Sequence, residues 1–111
     1  MASALLDDTR GAASMVRVHC GTLIFTGHAF ARMFARTITP DEVRMVVAHG
    51  EVIAEYPDDM PYPSALVLGS ATGRVLHVVV GRDDGAGRCY VVTVYEPDPE
   101  KWDADFRRRK P

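Results

Sequence analysis

The spacing of apolar residues along the chain changes at Gly50. Before Gly50, two stretches place apolar residues three and four positions apart, which is typical of helices that bury one face. The first stretch is 28–36, and the second follows the sequence Thr-Pro-Asp-Glu at 39–42. A capping threonine, a proline in the first helical position and a glutamate three residues after the cap favour a helix start at Pro40. Two short helices with a tight connection predict a helical hairpin.

The first predicted helix sorts its side chains onto two faces. At about 100° per residue, His28, Arg32 and Arg36 fall at successive i+4 positions on one face. Cations one turn apart repel one another, so this face is predicted either to bind an anion or to be solvated. The opposite face is predicted to be buried and carries Phe30, Met33 and Phe34.

Runs of alternating or continuous apolar residues predict strands in the rest of the chain. One short strand is expected within 15–26, and a short helix is expected at 101–106. Successive strands joined by short loops usually pair antiparallel. We therefore expect an α+β domain in the order β-α-α-β-β-β-β, with the helical hairpin on one face of a four- to five-stranded antiparallel sheet. The four later strands are expected at 51–56, 64–69, 74–80 and 89–95.

The chain has 111 residues, which is the size of one domain. We expect a flexible leader at 1–14 and a single domain at 15–111. Hydrophobic residues at 47% and charged residues at 25% argue against disorder and membrane insertion, and no apolar run is long enough to cross a bilayer. The first residues lack the basic and apolar regions of a signal peptide. A cytoplasmic location without membrane contact is therefore expected.

The cysteines and histidines show no metal-binding spacing. Cys20 and Cys89 lie far apart and form no Cys-x-x-Cys motif, so we expect both to be reduced packing residues. The four histidines form no His-x-x-x-His motif. Neither a metal nor a cofactor is predicted.

Charge is distributed unevenly, although the formal net charge is only −2. Six acids and one base lie within 41–59, and four consecutive bases occupy 107–110. In this basic run, Arg107 and Arg108 are candidate phosphate ligands, although such a run is also typical of a solvated terminus. A net acidic charge is unusual for a nucleic-acid-binding protein, but a local basic patch can still attract a polyanion.

His77 is the candidate proton-transfer residue within the predicted sheet. Alternation places it on the face of its strand that also carries Val75 and Val79. Pairing with the last strand would bring Thr93 and Tyr95 to the same face. A histidine at such a position is often structural, half-buried and bonded to a neighbour, and this interpretation stays open.

RNA cleavage without a metal needs residues that move protons and residues that stabilise phosphate charge, because the 2′-hydroxyl of RNA is the nucleophile. His28 and His77 are the predicted acid and base. Tyr95 is a further candidate catalytic residue. Arg32 and Arg36 are the predicted phosphate ligands.

Several of these residues lie in motifs that resemble a known family. The motifs are His28-Ala29, Arg32-Met33, Arg36, Gly50-Glu51-Val52-Ile53, Tyr56-Pro57-x-Asp59-x-Pro61-x-Pro63-Ser64, Leu76-His77-Val78, Thr93-Val94-Tyr95-x-Pro97-Asp98 and Trp102. Over 28–109 the chain resembles a small bacterial family of domains of unknown function that is grouped with the RelE/BrnT-like toxin superfamily.

This resemblance implies a RelE-like fold, with two helices packed on one face of an antiparallel sheet. RelE-type relatives cut RNA without a metal and are inhibited by an antitoxin that covers the site. The resemblance therefore implies RNA and an antitoxin protein as partners. The motifs that carry the resemblance include five of the candidate site residues, namely His28, Arg32, Arg36, His77 and Tyr95.

Two functional hypotheses follow. The leading one is a metal-independent ribonuclease of toxin type, similar to mRNA interferases. The alternative is a non-catalytic protein- or anion-binding domain in which Arg32 and Arg36 are structural and pair with Glu55 or Asp59. The partners of the two guanidinium groups distinguish these hypotheses. The sequence leaves the oligomeric state open.

Overall fold

The architecture is taken from a computed structural model that describes residues 16–111. The predicted leader at 1–14 lies outside the described residues. The elements follow the predicted order β-α-α-β-β-β-β, so that prediction is confirmed for the described part of the chain. Their bounds are β1 (Thr22–Phe25), α1 (Gly27–Arg36), α2 (Pro40–His49), β2 (Glu51–Tyr56), β3 (Ser64–Ala71), β4 (Arg74–Asp83) and β5 (Arg88–Tyr95).

The five strands form one mixed sheet in the spatial order β1-β5-β4-β3-β2. The sequential strands β2 to β5 pair antiparallel, as expected from their short loops. β1 pairs parallel with β5, from Thr22 opposite Arg88 to Phe25 opposite Val91. The prediction of an antiparallel sheet is therefore wrong at this edge. That prediction assumed that neighbouring strands are joined by short loops. β1 and β5 are neighbours in the sheet but lie far apart in the sequence.

Both helices pack against one face of the sheet, α1 mainly over β5 and α2 mainly over β3. Ala29 and Met33 are the buried residues of α1. Phe30 and Phe34 were predicted to be buried, but 51% and 90% of their surfaces are exposed. Each follows a buried residue by one position, so it is rotated by about 100° away from the core. The hydrophobic core under the helices also contains Val43, Val46, Val47, Ala65, Val67, Leu76, Val78, Val80, Val91 and Val94.

The chain after β5 covers part of the opposite face of the sheet. The helix predicted at 101–106 is not formed, and that prediction is wrong. The Asp103 amide donates to the Arg108 carbonyl instead of to a carbonyl one turn earlier, and Phe106 has a φ of 62°. This path turns back on itself and ends in a bridge between Trp102 and Arg109. The indole of Trp102 is thereby packed on the sheet and is 8% exposed.

Cys20 and Cys89 form a disulfide, so the prediction of two reduced cysteines is wrong. Because β1 pairs with the start of β5, Cys20, two residues before β1, lies beside Cys89, and the two Cα atoms are 5.5 Å apart. Sequence separation alone does not reveal this proximity. Cross-linking residues 69 positions apart restricts the unfolded chain, which in the loop-entropy treatment stabilises the fold by about 4 kcal/mol.

Neither α1 nor α2 combines the length and the apolar character of a membrane-crossing helix.

Gly50, between α2 and β2, is required by close packing. A Cβ atom at this position would lie 2.4 Å from the Val46 carbonyl oxygen and 2.6 Å from the Leu68 carbonyl oxygen. Any side chain here would separate α2 from β3. Glycine therefore allows the helix to pack directly on the sheet.

A buried carboxylate connects the helical hairpin to the sheet. The predicted capping box of α2 is present: the Thr39 amide donates to Glu42 Oε1 at 2.9 Å, and the Glu42 amide donates to Thr39 Oγ1 at 3.1 Å. The Arg74 guanidinium donates to both oxygens of Glu42, at 3.1 and 2.8 Å, and also to the Thr37 carbonyl. The Thr72 hydroxyl is a further donor to Glu42. These hydrogen bonds, above all those from Arg74, lower the pKa of Glu42 from 4.5 to about 2.

The depressed pKa of Glu42 predicts a loss of stability in acid. Because the folded-state pKa lies below the unfolded value, the contribution is fully present above about pH 4.5 and is lost as the pH falls towards about 2. We expect Glu42→Gln to lower the free energy of unfolding by about 3 kcal/mol at pH 7, because Arg74 loses its ionic partner. Urea denaturation of both proteins between pH 7 and pH 2.5 measures this difference, which should shrink below pH 4.5.

The matched control is Asp41→Asn, which changes an exposed carboxylate in the same helical turn. Its effect should stay below about 1 kcal/mol at every pH. A wild-type advantage over Glu42→Gln that persists undiminished at pH 2.5 would contradict the assignment.

Candidate functional site

His28, Arg32 and Arg36 lie together on one exposed side of α1, as the helical spacing predicted. We call these three residues the cationic flank. Arg32 Nε donates to His28 Nε2 at 3.4 Å. The ion pairs with Glu55 or Asp59 that the alternative hypothesis expected are not formed. Within 16–111, neither guanidinium of the flank makes an ion pair with a carboxylate.

The cationic flank lies along a part of β5 that has no second neighbouring strand among residues 16–111. β1 pairs with β5 only as far as Val91, so within these residues the end of β5 forms an edge of the sheet. Arg36 Nη1 donates to the carbonyl oxygen of Val94 at 2.6 Å. Arg36 thus satisfies an edge acceptor and holds the C-terminal end of α1 against β5.

His77 lies on the opposite face of the sheet and is fully buried. It is paired in register with Tyr95, which confirms the prediction that these two residues share a face. His77 Nδ1 is 3.2 Å from the Tyr95 hydroxyl, and Nε2 is 2.9 Å from the Phe106 carbonyl oxygen. Since a carbonyl only accepts, Nε2 carries the proton and Nδ1 accepts from the tyrosine. The Trp102 ring closes the site, edge to face, at 4.5 Å between ring centroids.

This environment favours a neutral imidazole. Burial lowers the pKa of His77, and burial likewise raises the pKa of the Tyr95 hydroxyl. Both groups are therefore uncharged at neutral pH. The two ring nitrogens are fully used by neighbours, as expected for a histidine that stabilises a fold.

The structure does not bring His28 and His77 together. His28 lines a cavity beside Tyr90, which is paired with Gly81 of β4. His77 lies four residues away from Gly81 along β4, or about 13 Å. A direct acid and base pair of the two histidines is not assembled in this conformation.

Arg107 lies at the far edge of the sheet. Its Nη2 donates to Glu51 of β2 at 2.6 Å, and this carboxylate raises the pKa of the guanidinium. β2 and β5 are separated by β3 and β4 in the sheet. Arg107 therefore does not extend the cationic flank. Arg108 is exposed in the same C-terminal segment.

The cavity beside His28 has a volume of about 540 Å³ and contains residues that the sequence did not single out as a site. We call it the tyrosine cavity. The rings of Tyr62 and Tyr90 stack in it, 5.3 Å apart and within 1° of parallel. Its lining is completed by Thr26, His28, Asp59, Met60, Pro61, Ser64, Gly81 and Val92.

The proline-rich loop between β2 and β3 forms one wall of the tyrosine cavity. The Arg82 amide donates to the Pro63 carbonyl at 2.8 Å, which attaches the loop to β4. The Ser64 hydroxyl, at the start of β3, donates to Asp59 Oδ2 of the loop. The sequence feature that could have indicated this wall is the set of three prolines within 57–63, because prolines restrict the backbone of the loop.

Residues 16–111 contain no group of three or more His, Cys, Asp or Glu side chains arranged to hold a metal ion.

A substitution at His77 tests its structural role. We expect His77→Phe to lower the free energy of unfolding by about 2 kcal/mol, because the Tyr95 hydroxyl and the Phe106 carbonyl lose a buried partner. Because the folded-state pKa lies below 6.5, wild-type stability should also fall as the pH drops below about 6.5, and this component should be absent from the variant. Urea denaturation followed by circular dichroism from pH 8 to pH 5 measures both effects.

His49→Gln, at an exposed histidine of α2, is the control and should change stability by less than about 1 kcal/mol. If His77→Phe is as stable as wild type at pH 7, the buried network has no structural role.

Residues 25–96, about two thirds of the chain, match the family model described as a domain of unknown function, DUF4258. No curated protein and no solved structure matches the chain.

Proposed function

We propose that this chain, which belongs to the DUF4258 family, is a metal-independent ribonuclease of toxin type that holds RNA along the cationic flank. The supporting observation is the exposed pair of Arg32 and His28, 3.4 Å apart and without a carboxylate partner in the described part of the chain. A guanidinium binds phosphate oxygens, and an adjacent imidazole can move a proton. A RelE-like identity of the fold is part of the same proposal.

The proposed reaction is an intramolecular transesterification. His28 removes the proton from a ribose 2′-hydroxyl, the bond from O2′ to phosphorus forms, and the bond from phosphorus to O5′ breaks. Arg32 stabilises the additional negative charge on the phosphate oxygens. The leaving O5′ takes a proton from the hydroxyl of Tyr62, which lines the same cavity as His28. Neighbouring Tyr90 raises the pKa of Tyr62, so this hydroxyl stays protonated at neutral pH.

In this proposal His77 and Tyr95 have a supporting role, because both nitrogens of the buried imidazole are bonded within the fold. Arg36 contributes charge through the part of its guanidinium that does not contact Val94. The sequence predicted that His28 and His77 share the acid and base roles. In this proposal the buried His77 has neither role.

The ribonuclease proposal predicts separate effects of two substitutions. On short single-stranded RNA in the presence of EDTA, His28→Ala should reduce the cleavage rate at least 100-fold while leaving binding within about threefold. Arg32→Ala should reduce the cleavage rate 100-fold or more and should also weaken binding of a non-cleavable 2′-deoxy analogue about tenfold. Gel analysis of products and fluorescence anisotropy of the labelled analogue give the two readouts.

Arg44→Ala is the matched control, since Arg44 is an exposed helical arginine that pairs with Asp41. It should leave cleavage and binding within about twofold. Intact RNA after incubation with the wild-type protein would refute the catalytic part of the proposal. Equal binding by wild type and Arg32→Ala would refute the role of the flank.

The second candidate function is the binding of a protein partner. The antitoxin implied by the sequence resemblance is one such partner. Phe34 is 90% exposed and Phe30 is 51% exposed, on the side of α1 away from the cationic flank. Large apolar side chains at this exposure are typical of surfaces that bind protein. These phenylalanines lie on the side of α1 opposite His28 and Arg32, so a partner bound to them would block the cationic flank only if it also extended around the helix.

A photo-crosslinking residue incorporated at Phe34 tests this candidate in cells. We expect one defined protein adduct, identified by mass spectrometry, that is missing when the same residue replaces exposed Asp41 of α2. Equal labelling at both positions would mean that the phenylalanines do not form a specific surface.

The cytoplasmic location expected from the sequence stays a prediction. The Cys20–Cys89 disulfide argues against a reducing compartment, since disulfides rarely persist in the cytosol of mesophilic cells.

A further inference from the structure

We infer that the tyrosine cavity is a nucleobase-binding site that selects bases carrying an exocyclic amino group. The inference rests on the proposed function for its substrate, because it assigns the cavity to a base of the RNA whose phosphate lies on the cationic flank. Three features support it: a stacking surface, an open floor and an acceptor at the rim.

The stacking surface consists of Tyr62 and Tyr90. Their rings are parallel and 5.3 Å apart at the centroids, and both residues are half-buried. The facing sides of the two rings cover one another, so a base would stack on the outer face of either ring. Tyr90 is held by β5, and Tyr62 is held by the proline-rich loop, so the surface is formed before a ligand arrives.

The open floor of the cavity results from Gly81 of β4. A Cβ atom at this position would lie 3.8 Å from the Tyr62 Cβ and 4.0 Å from the Val92 Cγ2, which are ordinary contact distances. Alanine would therefore fit, whereas a larger side chain would occupy the space beside the rings. Gly81 thus keeps the space beside the two tyrosines free.

The acceptor at the rim is Asp59. One carboxylate oxygen, Oδ2, accepts from the Ser64 hydroxyl, and Oδ1 accepts no hydrogen bond from the described residues. A carboxylate only accepts hydrogen bonds at neutral pH. It therefore favours the amino group of cytosine, adenine or guanine over the carbonyl at position 4 of uracil, whose edge offers a donor only at the N3–H inside the ring.

His28 connects the tyrosine cavity to the phosphate site. Its side chain lines the cavity, and its Nε2 accepts from Arg32. A base stacked on Tyr62 or Tyr90 would therefore direct its phosphate towards a positively charged surface. The combination of an apolar aromatic wall, a cationic rim and one carboxylate acceptor fits a nucleotide better than a purely apolar ligand.

Cytidine and uridine 5′-monophosphates are the probes, because they share the ring size and the phosphate and differ only at N3 and position 4, where cytosine has an acceptor nitrogen and an amino group and uracil has an N–H and a carbonyl. Calorimetric titration of the whole chain should show about tenfold tighter binding of cytidine monophosphate, a difference of about 1.4 kcal/mol. Asp59→Asn should reduce this preference to less than about twofold, while the adjacent control Asp58→Asn should keep it. Gly81→Val should weaken both ligands at least tenfold, and circular dichroism should show that the variant is folded.

Several outcomes would overturn the inference. Equal binding of both nucleotides to the wild-type protein excludes recognition by Asp59, and unchanged binding to folded Gly81→Val excludes the cavity. Absence of any nucleotide binding excludes the site as a whole.

The nucleoside cytidine separates this inference from the proposed function. Cytidine lacks a phosphate, so its binding should be sensitive to Gly81→Val and insensitive to Arg32→Ala. Binding of cytidine by a protein that leaves RNA intact would support the cavity and reject the ribonuclease. Cleavage of RNA without any preference among bases, together with no cytidine binding, would reject the cavity and support the ribonuclease.

Discussion

The ion pair between Glu42 and Arg74 is the interaction on which the arrangement of helices and sheet depends. Glu42 caps the start of α2 through Thr39, and Arg74 at the start of β4 also donates to the carbonyl of Thr37, the residue that follows α1. One buried carboxylate therefore sets the position of both helices relative to the sheet. Its charge is stable there because a guanidinium and the hydroxyl of Thr72 replace the lost water.

The two faces of the sheet are covered differently, and this difference positions the candidate site. The helical hairpin covers one face, while the C-terminal segment covers only the part of the other face around His77. The remaining part, near Tyr90, stays open as the tyrosine cavity. Within 16–111, β1 ends opposite Val91, so the rest of β5 forms a sheet edge, and the cationic flank of α1 lies along this edge.

Local rules predicted those features whose cause lies within a few residues. The capping box at Thr39 and Glu42 was confirmed because both partners lie in one helical turn. The cationic flank was confirmed because helical geometry alone places residues four apart on one side. The burial of Phe34 was predicted wrongly, since periodicity gives the relative angle of two side chains but not the direction in which the sheet lies.

The sequence by itself determined the order of the elements and the cap of α2, because periodicity and capping are local. Only the tertiary structure decided that β1 pairs parallel with β5, that Cys20 meets Cys89, and that Tyr62 stacks on Tyr90. Each of these contacts joins residues far apart in the chain. Their proximity depends on how several elements pack at once, and no local pattern records it.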